Sequence, residues 1–137
     1  MNSNIKAIKL ILGIFIITGL LSVFGVSAYD QVTFTNITIP SFSVSYTSPQ
    51  VTKEDEDCQA LYTSMIKDSI TGGNRAVQAR VIQQVEPTYG TLWADMNVGV
   101  TFNWASSMAC TIGYPRIELR AKKSTLASIK YSGIWFY

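Results

Sequence analysis

From Val32 to Tyr137 the chain is divided into short runs in which every second residue is apolar, and this period of two is the strongest constraint on its fold. Val32-Thr33-Phe34-Thr35-Asn36-Ile37-Thr38-Ile39 alternates up to Pro40, and Phe42-Ser43-Val44-Ser45-Tyr46 alternates again before Pro49. Val77, Ala79, Val81 and Val85 share one side of a third run, with Gln78, Arg80 and Gln84 opposite, until Glu86-Pro87 breaks it. Val98, Val100, Phe102 and Trp104 make the clearest apolar face, against Asn97, Thr101 and Asn103. Ile117, Leu119 and Ala121 oppose Glu118, Arg120 and Lys122, and the last run groups Ile129, Tyr131, Gly133, Trp135 and Tyr137. Successive strand side chains point to opposite faces, so each run has one dry side and one wet side. Short strands separated by turn residues predict an all-β fold, an antiparallel β-sandwich or small barrel of about six to eight strands. The final strand is too aromatic to lie at an open edge, where it would template pairing with other chains, so it belongs inside a sheet.

One segment reads two ways. Over residues 54–70, Cys58, Leu61, Tyr62, Met65, Ile66 and Ile70 follow helical spacing, four acids crowd the start, and Gly72-Gly73 supplies a stop. A strand here would instead complete the sheet, and a single helix over 54–70 stands beside it as the alternative.

Ahead of this body lies an export signal in three parts. Lys6 and Lys9 precede an apolar run from Leu10 to Phe24, and Val26-Ser27-Ala28 offers small residues at the positions that specify cleavage. Cleavage after Ala28 is expected, leaving residues 29–137 as a single secreted domain and confining membrane contact to the leader before its removal. An uncleaved anchor is the alternative, because Leu10 to Ala28 is nearly long enough to span a bilayer. The leader holds two of the eleven Lys and Arg residues and none of the nine Asp and Glu residues, so the remaining body has nine of each and is formally neutral. Long-range attraction to nucleic acid therefore has no support in composition, and no nucleic-acid partner is expected.

Cys58 and Cys110 are the only cysteines, and in an oxidising compartment such a pair is expected to form one disulfide. A metal or redox role lacks companions, since the chain has no histidine and no C-x-x-C spacing. Without histidine the commonest general base is also missing. Asp68, Glu86, Asp95 and Glu118 could supply the two carboxylates of a glycosidase, yet no spacing singles out a pair. The run Glu54-Asp55-Glu56-Asp57 lacks the surroundings of a calcium loop and reads as a solvated acidic stretch. The expectation is a non-enzymatic protein without cofactor or metal.

A ligand surface has better candidates. Trp104 and Trp135 fall on apolar faces and are expected in the core, which leaves Trp93, in Gly90-Thr91-Leu92-Trp93, as the exposed aromatic. The C-terminal third gathers Arg116, Arg120, Lys122, Lys123 and Lys130 against Glu118 alone, a local excess that can steer the molecule to an anionic surface. Trp93, Arg116, Arg120 and Lys122 are the predicted ligand surface. Asn36-Ile37-Thr38 also matches the glycosylation sequon, which matters only in a pathway equipped to use it.

Phe34, Asn36 and Pro40 at the start of the body, with Ser132, Gly133 and Trp135 at its end, match an F-x-N-x-x-x-P opening strand and a closing strand in which small residues precede an aromatic. In these motifs the chain resembles small secreted β-proteins of Gram-positive bacteria encoded beside bacteriocin-type (lactococcin-like) transport genes. The resemblance implies an extracellular β-domain, antimicrobial or envelope-acting, and carries over no catalytic residue. The leading functional expectation is a secreted β-domain that binds at a cell envelope in the manner of a bacteriocin-like factor. A structural or adhesive surface module binding glycan or protein is the alternative.

Overall fold

The computed structural model describes residues 30–42, 44–83, 90–123 and 125–137. The expected leader and the cleavage expected after Ala28 lie outside these residues, as do Val85, Glu86 and Pro87 of the third run. Eight strands form: β1 (Gln31–Ile39), β2 (Tyr46–Thr47), β3 (Ala60–Asp68), β4 (Val77–Gln83), β5 (Ala94–Met96), β6 (Thr101–Asn103), β7 (Pro115–Ala121) and β8 (Ile129–Phe136), with a 3-10 turn at Ser107–Cys110. They make two four-stranded antiparallel sheets, ordered β1-β8-β3-β6 and β2-β7-β4-β5.

The two sheets bury their apolar sides against each other. Phe34, Ile39, Leu61, Ile66, Ile129, Tyr131 and Trp135 from the first meet Val77, Ala79, Val81, Met96, Ile117, Leu119 and Ala121 from the second in one cluster. Strands β4, β7 and β8 show the alternation read from the sequence, and β8 lies between β1 and β3 as its aromatic character requires. Trp104 and Trp135 are both core residues.

Segment 54–70 is a strand where it is regular, and the helical alternative is excluded. β3 carries an irregularity between Thr63 and Met65, so its dry face runs through Leu61 and Thr63 before the bulge and through Ile66 and Asp68 after it. A bulge inserts one residue and shifts the inward frame by one. With Tyr62 and Met65 half-buried on the other side, the pairs Leu61–Met65 and Tyr62–Ile66 then imitate the i, i+4 spacing of a helix. Two other runs are shorter than their patterns. Val98 and Val100 are 55% and 51% exposed because Gly99, at φ 80, turns the chain there, and only Thr101–Asn103 pairs. Between Phe42 and Tyr46, Phe42 sits at φ 59 and is exposed, so pairing is confined to Tyr46–Thr47.

The cysteines are joined. Cys58, just before β3, is bonded to Cys110 at the end of the 3-10 turn, across 52 residues. Closing a loop of that length contributes about 4 kcal/mol on the chain-entropy model. Beside it, Gln59 is fully buried, its Oε1 accepting the Trp135 indole N–H at 2.9 Å.

At the centre of the first sheet Gly133 pairs with Phe34 on one side and Thr63 on the other. A Cβ at this position would lie 2.4 Å from the Tyr62 carbonyl oxygen and 2.7 Å from the Tyr131 hydroxyl. G133A is therefore expected to lower stability by about 3 kcal/mol, read as a drop in the urea midpoint. A second test concerns acid. The buried Asp68 carboxylate accepts the Ile70 and Thr71 N–H groups, each at 2.8 Å, and the Arg75 guanidinium at 2.8 and 2.6 Å. The Thr71 N–H first, then Arg75, hold its pKa down at about 2. A carboxylate with a depressed folded pKa stabilises fully above its unfolded value and loses that contribution as pH falls through the folded one. Stability is expected to drop between about pH 4 and pH 2, and D68N to flatten part of that slope in denaturant midpoints measured against pH.

Candidate functional site

The wet face of the second sheet is where the predicted ligand residues meet. β4 and β7 turn Val77, Ala79, Val81, Ile117, Leu119 and Ala121 inward, so Gln78, Arg80, Arg116, Glu118 and Arg120 share the outer side. The register sets Gln78 opposite Arg120 on one neighbour and opposite Asp95 on the other, and Arg80 opposite Glu118. Trp93 stands beside them, just before β5.

These side chains form a continuous ladder across three strands. The Asp95 carboxylate accepts the Gln78 amide at 2.9 Å and the Lys122 ammonium. Gln78 Oε1 accepts Arg120 through Nη2 at 3.0 Å and more weakly through Nε at 3.3 Å. The Arg120 guanidinium lies 3.9 Å from the centre of the Trp93 ring, and that of Arg80 lies 4.6 Å from it. Arg80 Nε in turn donates to Glu118 Oε2 at 2.6 Å. Hydrogen bonding from Lys122, and then from Gln78, holds the Asp95 carboxyl below its ordinary range.

Long side chains from β7 thus cross β4 to reach β5, and Trp93 collects two cations. Each such contact contributes on the order of 0.5–1 kcal/mol at a partly exposed site. The face carries four cations (Arg80, Arg116, Arg120, Lys122) against two acids (Glu118, Asp95), an excess of two positive charges. Glu118 answers Arg80 and Asp95 answers Lys122. Arg120 rests on a neutral amide, and Arg116 Nε is buried with no acceptor among the described residues.

Comparison with family models, curated proteins and solved structures finds no match to this chain.

Of the four residues singled out in the sequence, Trp93, Arg120 and Lys122 are in the ladder, while Arg116 shares the sheet face opposite Ile82 without joining it. The ladder adds Gln78, Arg80 and Asp95, which are recoverable only by pairing the wet alternate positions of β4 with those of its neighbours. The basic C-terminal third does not act as a single patch. Lys130 lies on β8 of the other sheet, where its ammonium donates to Thr38 Oγ1 at 2.7 Å.

The acids considered for catalysis are each held separately: Asp68 by Arg75, Asp95 by Lys122 and Glu118 by Arg80, while Glu86 lies outside the described residues. In the acidic run, Asp55 accepts the ammonium of Lys53, a fully buried lysine that the sequence pattern does not flag. No group of three potential metal ligands gathers among the described residues. Asn36 of the sequon is exposed at a left-handed position, φ 50, in the β1 bulge, its N–H donating to Ser132 Oγ at 2.8 Å.

Removing one layer of the stack is a direct probe of the ladder. R120A is expected to expose Trp93, shifting fluorescence to the red and increasing acrylamide quenching, with Trp104 and Trp135 still buried. The accompanying change in stability should stay within about 1 kcal/mol, the scale of an exposed cation–π or ion-pair contact.

Proposed function

We propose that this chain is an exported, non-enzymatic β-domain that acts by binding an anionic component of a cell envelope through the outer face of its second sheet. The Arg120–Trp93–Arg80 stack is the observation that carries this reading. It holds two guanidiniums in fixed positions on a half-buried aromatic plane, in a body that is formally neutral as a whole. Arginine recognises carboxylate and phosphate groups through paired hydrogen bonds, and a guanidinium already ordered on an indole loses less freedom when it does so. The disulfide supports the compartment, since such bridges persist where the surroundings are oxidising. The leader ending at Ala28 supplies the route, and the bacteriocin-like role implied by the resemblance is the narrower form of the same reading.

Co-sedimentation with isolated envelope fragments tests it. The wild-type domain is expected to sediment, to be released as salt screens the attraction, and to lose about tenfold in affinity when R80A and R120A are combined, a loss of about 1.4 kcal/mol. Unchanged sedimentation of that double variant would sink the proposal.

A further inference from the structure

Beside the ladder, on the side of the sandwich where β5 and β6 are the outermost strands of their sheets, lies a groove of about 360 Å³. Leu92 and Trp93 wall it from the second sheet, and Phe102, Asn103, Trp104 and Ser106 from the first. Its size falls within the range of pockets for small ligands, about 300–1,000 Å³. Three of these residues are aromatic, and Phe102 meets Trp104 edge to face at 5.2 Å between ring centres. No Asp, Glu, Lys or Arg is among the described lining residues, although the ladder's charges stand immediately outside. Leu92 at the rim is 91% exposed, an apolar side chain with nothing covering it.

Two unmet donors lie behind the groove wall, out of contact with solvent. Trp104 is 4% exposed, and its indole N–H is buried with no acceptor among the described residues. Gln59 Nε2 is a second such donor, on the residue whose carbonyl accepts the Trp104 backbone N–H at 3.0 Å. Turning the Gln59 amide over would not help, because its Oε1 already serves the Trp135 indole and the exchange would set two donors against each other. Buried polar groups are ordinarily paired, and leaving one unpaired costs free energy that an incoming acceptor recovers.

The geometry points to this groove as a binding site for an uncharged pyranose unit of an envelope glycan. A sugar ring offers an apolar C–H face to stack on aromatic walls and hydroxyls to bond the exposed Asn103 and Ser106, and a small turn of the Trp104 ring on binding brings its buried indole N–H to a hydroxyl oxygen. The absence of charge among the described lining residues disfavours an ionised group inside the groove, while Trp93, which borders both groove and ladder, lets one polymer place a neutral ring in the first and an anionic substituent on the second. The choice of a glycan rests on the envelope-binding reading above.

The test uses the disulfide-bonded domain labelled with ¹⁵N, whose three tryptophans give three indole N–H signals. The probes are a β-1,4-linked N-acetylglucosamine trimer and a glucose trimer, at millimolar concentration. At least one is expected to move the Trp104 indole signal downfield and slow its exchange with water, leaving the Trp135 signal in place. A105W, which fills the groove from an exposed position, should abolish the shift without changing the melting temperature, and F102A should weaken binding about tenfold, a loss of about 1.4 kcal/mol. If neither trimer moves the signal, if the shift persists in A105W, or if an extended peptide rather than a sugar perturbs the β5 and β6 amides, the assignment is wrong. The two readings fail separately. A105W that no longer responds to sugar but still sediments with envelope fragments places envelope binding on the ladder. A trimer that binds normally to the R80A/R120A variant leaves the groove standing whatever becomes of the ladder.

Discussion

The close approach of three strands at Gly133 sets the geometry of the first sheet. β8 is flanked by β1 and β3, and both neighbours become irregular opposite the same short stretch, β1 between Phe34 and Ile37 and β3 between Thr63 and Met65. Gly133 has no side chain to hold these strands apart, and the space it leaves is taken by the Tyr131 hydroxyl, hydrogen-bonded at 2.9 Å to Thr63 Oγ1 in the buried layer. Burial pushes the Tyr131 phenol up to about 12, so it remains a neutral hydrogen-bonding group across the physiological range. A bulge bends a strand and strengthens its twist. Two bulges facing one glycine curve the sheet over Tyr131 and Trp135, the largest of the fully buried side chains.

The second sheet needs no such device, and its regularity is what makes a ladder. β4 and β7 bury only Val, Ala, Ile, Leu and the β7 proline, and they keep an unbroken register over seven residue pairs. In that register every outer side chain of β4 faces an outer side chain of β7, and pairs directly opposite one another are the unit of interaction on an antiparallel face. Arg80 with Glu118 and Gln78 with Arg120 follow directly. The reach to Trp93 and Asp95 then depends on the length of Arg120 and Lys122, whose side chains span the width of one strand.

Alternation made β4, β7 and β8 legible in the sequence, because each has one wet face and one dry face and no bulge, whereas in β1 the bulge puts Val32 and Phe34 in one frame and Ile37 and Ile39 in the next. It misled at β3, where Leu61 and Thr63 stand in one frame and Ile66 and Asp68 in the next. It misled again at Val98 and Val100, since a tight turn around Gly99 preserves the letters of an alternating strand while pointing its valines into water. Pairing was the missing information. Composition marked Trp93 and Arg120 separately, but their stacking depends on β4 lying between β7 and β5, and no local pattern states a strand order. The groove was hidden for the same reason: Leu92, just before β5, and Phe102 of β6 line one groove only because β5 and β6 are outermost on the same side. Lys53 was hidden by a general rule, since lysine is almost never fully buried without a partner. Here Asp55, two residues on, provides one.

Within the ladder the two arginines are not equivalent. Arg80 already holds a carboxylate, so an incoming anion would have to displace Glu118 and leave it beside the sheet without its cation. Arg120 gives its hydrogen bonds to the neutral Gln78 amide and holds no carboxylate, so an anion meeting it displaces no ion pair. Under the proposed envelope binding, exchanging Gln78 for an anionic ligand group would therefore cost less at Arg120 than displacing Glu118 at Arg80. Trp93 stays as the platform throughout, since a cation over its ring face needs no particular partner at the guanidinium edge. On that proposal the two cations at one indole differ in role: Arg80 is committed to Glu118, and Arg120 is the one able to change partners.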